Sequence, residues 1–185
     1  VTELTIIPGE DPVYFARNDA EPPVTLMSTN ELVYVIKEGA ANYKGYDFTP
    51  QGVTFCGGRF VFWETGGKMW YADINTENVD GLSFFEAEGD PDGMTKAHGS
   101  INTLYLFGKK TTEVYAVSAD QDAPFAKVGG AHLRIGSNSP QSIKDFNNGV
   151  AFVGDDNQVY FLSGYNYQPF SSNEVTKLIA AEDDK

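Results

Sequence analysis

The chain has a single cysteine, so no disulfide can form within it and packing alone must hold the fold. That residue, Cys56, follows Val53-Thr54-Phe55 and reads as a buried, inert thiol rather than a nucleophile, which suits assembly in a reducing cytosol. Histidine is scarce too. His98 and His132 lie far apart, and no His-x-x-x-His or Cys-His spacing exists, which argues against a zinc site. Bases number 13 against 26 acids, for a net charge of −13. Such a balance disfavours a protein that grips nucleic-acid phosphates by counterion release. An acidic surface instead repels phosphate and lets nucleic acid slide past. The one basic pair, Lys109-Lys110, reads as a solvated turn. No apolar run approaches the roughly 18 residues of a membrane-spanning helix. The N-terminus lacks the basic-then-apolar layout of a signal peptide, and it begins at Val1, as expected if an initiator Met was removed or the chain was processed.

What the sequence does have is short apolar runs separated by turns. The organising stretch is Phe84 to Ser118. Leu104-Tyr105-Leu106-Phe107 and Val114-Tyr115-Ala116-Val117 are too short for globular helices, and the second is rich in β-branched and aromatic residues. Polar residues from Gly108 to Glu113 lie between them and predict a hairpin turn. The design recurs. Val24–Met27 precedes the turn Ser28–Glu31 and then Leu32–Ile36; Phe60–Trp63 precedes Met69–Ala72; Val150–Val153 precedes Val159–Leu162. The second strands align on Tyr34, Tyr71, Tyr115 and Tyr160, at steps of 37, 44 and 45 residues. A period near 40–45 with several strands per unit marks a β-propeller blade.

Outer strands are expected at Tyr43–Phe48, Leu82–Phe85, Pro124–Lys127 and Tyr165–Phe170. Inner strands are expected at Gly52–Cys56, Met94–His98 and Gln141–Phe146. A β-sandwich also has short strands, but the repeat spacing favours the propeller. The expected fold is therefore all-β: propeller-type blades of four-stranded antiparallel meanders, an incomplete propeller, with a short C-terminal helix. The helix is read from the N-cap candidate Asn173 and from Val175, Leu178 and Ile179 on one face. The expected organisation is an N-terminal strand segment at 1–23, blades at 24–172, and the helix with a charged tail at 173–185.

Gly57 to Ala180 carries an ordered set of motifs. These are Met69-Trp70-Tyr71-Ala72-Asp73-Ile74-Asn75; Phe85-Glu86-Ala87-Glu88-Gly89-Asp90-Pro91-Asp92; Leu104–Gly108 with Thr112-Glu113-Val114-Tyr115; Pro124-Phe125, Gly130-Ala131 and Ile135-Gly136; and Gly164-Tyr165 with Gln168-Pro169 and Ser171-Ser172-Asn173-Glu174. In these residues the chain resembles the packaged-DNA stabilisation proteins of short-tailed bacteriophages, also called tail accessory factors or tail hub proteins. The resemblance implies a non-enzymatic virion protein of the neck and tail, assembled in the host cytoplasm. It implies a ring, commonly sixfold, that joins the portal to the tail, closes the channel after packaging and holds distal parts such as a tail needle or tailspike. DNA would pass through without sequence-specific binding, and no membrane is involved. The motif residues that it singles out are Glu88, Gly89, Asp90, Pro91, Asp92, Glu113, Tyr115, Gly164 and Tyr165.

Other constellations carry little chemistry. Gly89–Gly93 lacks the alternating ligands and terminal glutamate of a calcium loop and reads as a turn. Asp120-Gln121-Asp122 and Asp155-Asp156-Asn157 also read as exposed turns. No Gly-x-Ser-x-Gly elbow or phosphate-cradling glycine loop is present. No cofactor or metal is expected. His132, in the alternating Ala131–Ile135, is placed on the polar face of a strand. The runner-up function is carbohydrate binding, as in receptor recognition, on a platform of Trp63, Trp70, Tyr165 and Tyr167. A propeller glycosidase with paired carboxylates is a third reading, nonspecific among 26 acids.

Overall fold

Four antiparallel sheets of four strands each make up the computed structural model, which describes residues 12–29, 31–38, 40–87 and 92–183. Every sheet is a meander with strands in sequence order. The first blade is β1 (Tyr14–Arg17), β2 (Thr25–Thr29), β3 (Leu32–Lys37) and β4 (Ala40–Lys44). The second is β5 (Gly52–Cys56), β6 (Arg59–Trp63), β7 (Lys68–Tyr71) and β8 (Phe84–Glu86). The third is β9 (Met94–Ser100), β10 (Thr103–Gly108), β11 (Thr112–Val117) and β12 (Phe125–Leu133). The fourth is β13 (Lys144–Phe146), β14 (Gly149–Val153), β15 (Val159–Ser163) and β16 (Asn166–Pro169), followed by α1 (Asn173–Asp183). Tyr34, Tyr71, Tyr115 and Tyr160 all fall in the third strand of their blades, so the fold is all-β with propeller-type blades. Of the N-terminal strand segment expected at 1–23, residues 1–11 lie outside the described residues and β1 falls in the remainder.

The chain divides into two compact units after Ala87, each of two blades. In the first unit, Ala16, Leu26, Val33 and Val35 of one blade share a core with Val53, Phe60, Phe62 and Trp70 of the next. In the second, Tyr105, Phe107, Val114 and Leu133 share a core with Val150, Phe152, Tyr160 and Leu162. Central strands are buried on both faces, as their consecutive apolar residues require; β6 is buried throughout. Its one cation, Arg59, donates to the Ala72 carbonyl at 2.8 Å and lies over the Tyr71 ring. Tight two-residue turns close the inner hairpins: Gly57-Gly58 and Asn147-Asn148 each hold two successive positive φ angles.

Several boundaries depart from the sequence reading. Gly108, Thr112 and Glu113 are strand residues, so the turn shrinks to 109–111. Ser28 and Thr29 likewise extend β2 and are buried. The first outer strand ends at Lys44, so Tyr46 and Phe48 follow it as packing rings: Phe48 stacks on Trp70 at 4.7 Å. Pro140–Ser142 forms a 3-10 turn, leaving only Lys144–Phe146 as inner strand. Proline there removes a donor that a ladder needs. β12 runs on to Leu133, with a register shift opposite Glu113 to Tyr115 and Gly130 at φ +79°.

Candidate functional site: the clasped ends of the third and fourth blades

Asp92 stands two residues before β9 and reaches the β10–β11 hairpin of its own blade. One carboxylate oxygen accepts from Lys110 N at 2.6 Å, Thr111 N at 2.8 Å and Thr111 Oγ1 at 3.1 Å. Hydrogen bonds to a charged group contribute roughly 1.5–3 kcal/mol each, so this one side chain fixes the turn. A side chain at Gly108 would collide with that carboxylate, which explains the glycine of the Leu-Tyr-Leu-Phe-Gly motif.

The same hairpin is tied to the fourth blade. Lys110 Nζ pairs with Asp155 Oδ2 at 2.8 Å, across to the β14–β15 turn. The linker after β12 threads between the two turns. Gly136 passes so close to the hairpin that a Cβ would sit 2.4 Å from the Lys109 carbonyl carbon and from Lys110 N. Ser137 N donates to the Gly108 carbonyl at 2.9 Å and Ser137 Oγ to that of Val153 at 2.7 Å. Thr112 Oγ1 donates to the Ile135 carbonyl at 2.7 Å.

Deeper in the blade, Glu113 is 4% exposed. Its Oε2 accepts from Tyr115 OH at 3.0 Å and its Oε1 lies 3.4 Å from Lys127 Nζ. Thus Glu113 and Tyr115 of the motif act as one internal brace on a single sheet face. On the inner strands, Lys96 Nζ donates to the carbonyls of Pro140 and Ile143 at 3.2 and 3.0 Å. Burial pushes its ammonium pKa down to about 8. His98 Nε2 lies 3.1 Å from Asp145 Oδ1, and that hydrogen bond holds the Asp145 carboxyl below its ordinary range. At the opposite end of the blades, Gly164 takes φ +58° in the β15–β16 turn, and its carbonyl accepts from Tyr105 OH at 3.1 Å. Tyr165 beside it is 49% exposed.

The structure therefore places the described motif residues at three points: Asp92 at the hairpin end, Glu113 with Tyr115 inside the sheet, and Gly164 with Tyr165 at the far end. Glu88, Gly89, Asp90 and Pro91 lie outside the described residues. Sequence reasoning gave Lys96 and Ser137 no role, and it carried Gly136 only within the Ile135-Gly136 motif, without its contact to the hairpin. Cys56 is 1% exposed and its thiol is pushed up to about 12 by burial. Among the described residues no group of three or more His, Cys, Asp or Glu side chains converges as a metal site. Trp63 and Trp70 are buried in the blades, so the four aromatics do not form one sugar platform. A groove of about 410 Å³ beside Trp70 has its rim engaged internally: Lys44 with Asn78, Tyr46 with the Glu77 carbonyl, and Asp80 with Leu82 N. The arrangement braces the sheets of the third and fourth blades together.

Clasped, repeated four-stranded meanders of this kind define a β-propeller-type fold. Among solved structures, Sqt1 from Saccharomyces cerevisiae aligns with a TM-score of 0.55 at 13% identity, over 86% of this chain and 47% of that one. BamB from Moraxella catarrhalis aligns at 0.53 and 12% identity, over 88% and 53%. The computationally designed Ika4 aligns at 0.53 and 13%, over 87% and 96%. The chain thus spans about half the length of the Sqt1 and BamB chains, and these likenesses speak to the fold alone. No curated protein sequence matches. The chain belongs to the phage-stabilisation family, described as the β-propeller of bacteriophage P22 Gp10, whose family model matches residues 1–185. That family is one of structural β-propeller proteins of bacteriophages.

Proposed function

We propose that this chain is a ring subunit of the virion neck, joining portal to tail, closing the DNA exit after packaging and holding the tail's distal parts. The family match along the whole chain carries the reading. Two physical features support it. Ties at both ends of the third and fourth blades make a stiff frame, as a load-bearing neck requires. A net charge of −13 keeps a channel wall from adhering to passing DNA. In this reading the partners are portal, needle or tailspike proteins and further copies, six to a ring, assembled in the host cytoplasm, and no catalytic step is involved.

The test uses DNA-filled, portal-bearing particles made without this gene product. Purified protein is added, and the particles are challenged with nuclease and imaged by electron cryomicroscopy. Density at the portal vertex together with retained DNA is expected. Particles that leak DNA equally with and without the protein would overturn the neck role.

A further inference from the structure

A cleft of about 570 Å³ opens inside the first unit, between its two blades. Its walls differ in chemistry. On the first blade, Pro22, Pro23 and Val24 of the β1–β2 loop make an apolar wall. On the second, Asn75, Thr76 and Glu77 of the β7–β8 loop make a polar one. Both are held in place. Asn18 is 2% exposed; its Oδ1 accepts from Val24 N at 2.6 Å, its N–H donates to the Val24 carbonyl at 3.0 Å, and its Nδ2 donates to the Asn75 carbonyl at 2.8 Å. Asn75 N donates to the Gly58 carbonyl and Tyr46 OH to that of Glu77, each at 2.8 Å. The cleft is therefore preformed, and a ligand entering it has little of the wall to order.

One atom of the polar wall lacks its bond. Asn75 Oδ1 is buried and has no hydrogen-bond partner among the described residues. A buried acceptor left in that state costs about 1–3 kcal/mol, which a bound donor would recover. Charge narrows the choice of donor. The three segments around the cleft, 18–24, 37–38 and 73–78, hold Asp19, Glu21, Glu38, Asp73 and Glu77 against one cation, Lys37. Lys37 reaches from the end of β3 to pair with Glu77 Oε1 at 2.6 Å, so an aliphatic ammonium already rests on the polar wall. Burial works against the Glu77 charge, yet the Lys37 hydrogen bond, its own backbone N–H and the charges of Lys37 and Lys44 hold the carboxyl below its ordinary range. An anion would meet Glu38 and Glu77, a neutral sugar would leave those carboxylates unmatched, and a bare metal ion would leave most of the space empty. A chain of methylenes carrying ammonium groups suits both walls. We infer that the cleft binds an aliphatic polyamine, its methylenes along Pro22, Pro23 and Val24 and its ammonium groups toward Asn75 Oδ1 and Glu38. The inference goes beyond the neck role and does not rest on it.

The experiment is calorimetric titration with spermidine at physiological salt, where exposed charges are screened beyond about 8 Å. Four proteins are titrated: the unaltered chain, Glu38→Gln, Asn75→Gly and, as a control on α1, Glu174→Gln. Asn75 has φ +54°, which glycine adopts freely, so that change removes the carboxamide without strain. Circular dichroism with thermal melting checks that each variant folds. The unaltered chain and Glu174→Gln are expected to bind one spermidine with equal affinity. Glu38→Gln and Asn75→Gly are each expected to weaken binding by roughly tenfold, as loss of one hydrogen bond to a charged group implies. Triethylene glycol, which is uncharged, and Nα-acetyl-lysine amide, which carries one ammonium group, are expected not to displace spermidine at equal concentration. Absence of saturable binding to the unaltered chain overturns the inference. So does an affinity that either cleft variant leaves unchanged, or one that Glu174→Gln weakens equally, which would mean diffuse attraction to an acidic surface. Displacement by triethylene glycol would mean that shape alone is selected, and displacement by the lysine amide that a partner's side chain is taken; either overturns the polyamine.

Discussion

Lys96 is a buried ammonium held by two backbone carbonyls, and its pKa near 8 makes it a reporter of how the third and fourth blades fit. Burial is the main cause, Lys144 adds to it and Asp145 opposes it. The sign of the pH effect follows. Below about pH 8 both folded and unfolded chains hold the proton. Between about 8 and the ordinary 10.5, the folded chain has released it and the unfolded chain keeps it. The unfolded state then binds more protons, so this group makes stability rise with pH through that window. Cys56 acts oppositely: its thiol is raised from 9.0 to about 12, so the unfolded chain loses its proton first and stability falls above about pH 9. Urea unfolding in a Cys56→Ala background isolates the lysine. The stability difference between Lys96 and Lys96→Met proteins is expected to move in favour of Lys96 from pH 8 to pH 10. A difference that stays flat would mean that the amine is charged throughout.

Hairpins and linkers decide the fit between neighbouring blades, and at Gly136 a linker runs hard against a hairpin's backbone. Its Cβ position is occupied by the backbone of Lys109 and Lys110, which no rotamer change can clear. Gly136→Ala is expected to cost about 1–3 kcal/mol through overpacking. Chemical denaturation reads this directly, and an unchanged midpoint would show that the linker does not run against the hairpin. Much of this level was legible in the sequence. Each blade's central strands announced themselves as consecutive apolar residues because both faces are buried. The tyrosine period located the third strand of all four blades. It did not fix the face. Tyr34 points away from the second blade, Tyr115 away from the fourth, and Tyr160 toward the third. Tyr71 is one residue out of phase with them, and Trp70 takes the equivalent place toward the first blade. A strand alternates every residue, so a slip of one exchanges the faces. Glu113 was misread as a turn residue because a charge usually marks solvent. Its burial depends on Tyr115 and Lys127, and their approach is set by the sheet's register rather than by local sequence. The clasp residues stayed hidden for the same reason: Asp92 and Lys110 are 18 positions apart and meet only once the hairpin forms.

At the scale of the whole molecule, the excess of acids sets both stability and what the surface tolerates. Among the described residues, ion pairs join Lys37 with Glu77, Lys110 with Asp155, and Lys127 with Glu113. With 26 acids against 13 bases, the net negative charge repels itself and opposes the folded state. Salt screens such interactions beyond a Debye length of about 10 Å at 0.1 M. The melting temperature is therefore expected to rise as sodium chloride is added from low to moderate concentration. A protein that stabilised DNA by gripping phosphates would show the reverse signature in binding, with affinity falling steeply and linearly in log salt. This chain is expected to leave duplex DNA unretarded in a gel even at the low-salt end, where electrostatic attraction is strongest. Retardation there, lost steeply with salt, would mean that its bases are gathered into a stripe and that it holds DNA by contact. Free migration of the DNA, together with salt stabilisation of the fold, would fit a protein that retains DNA by closing its exit rather than by binding it.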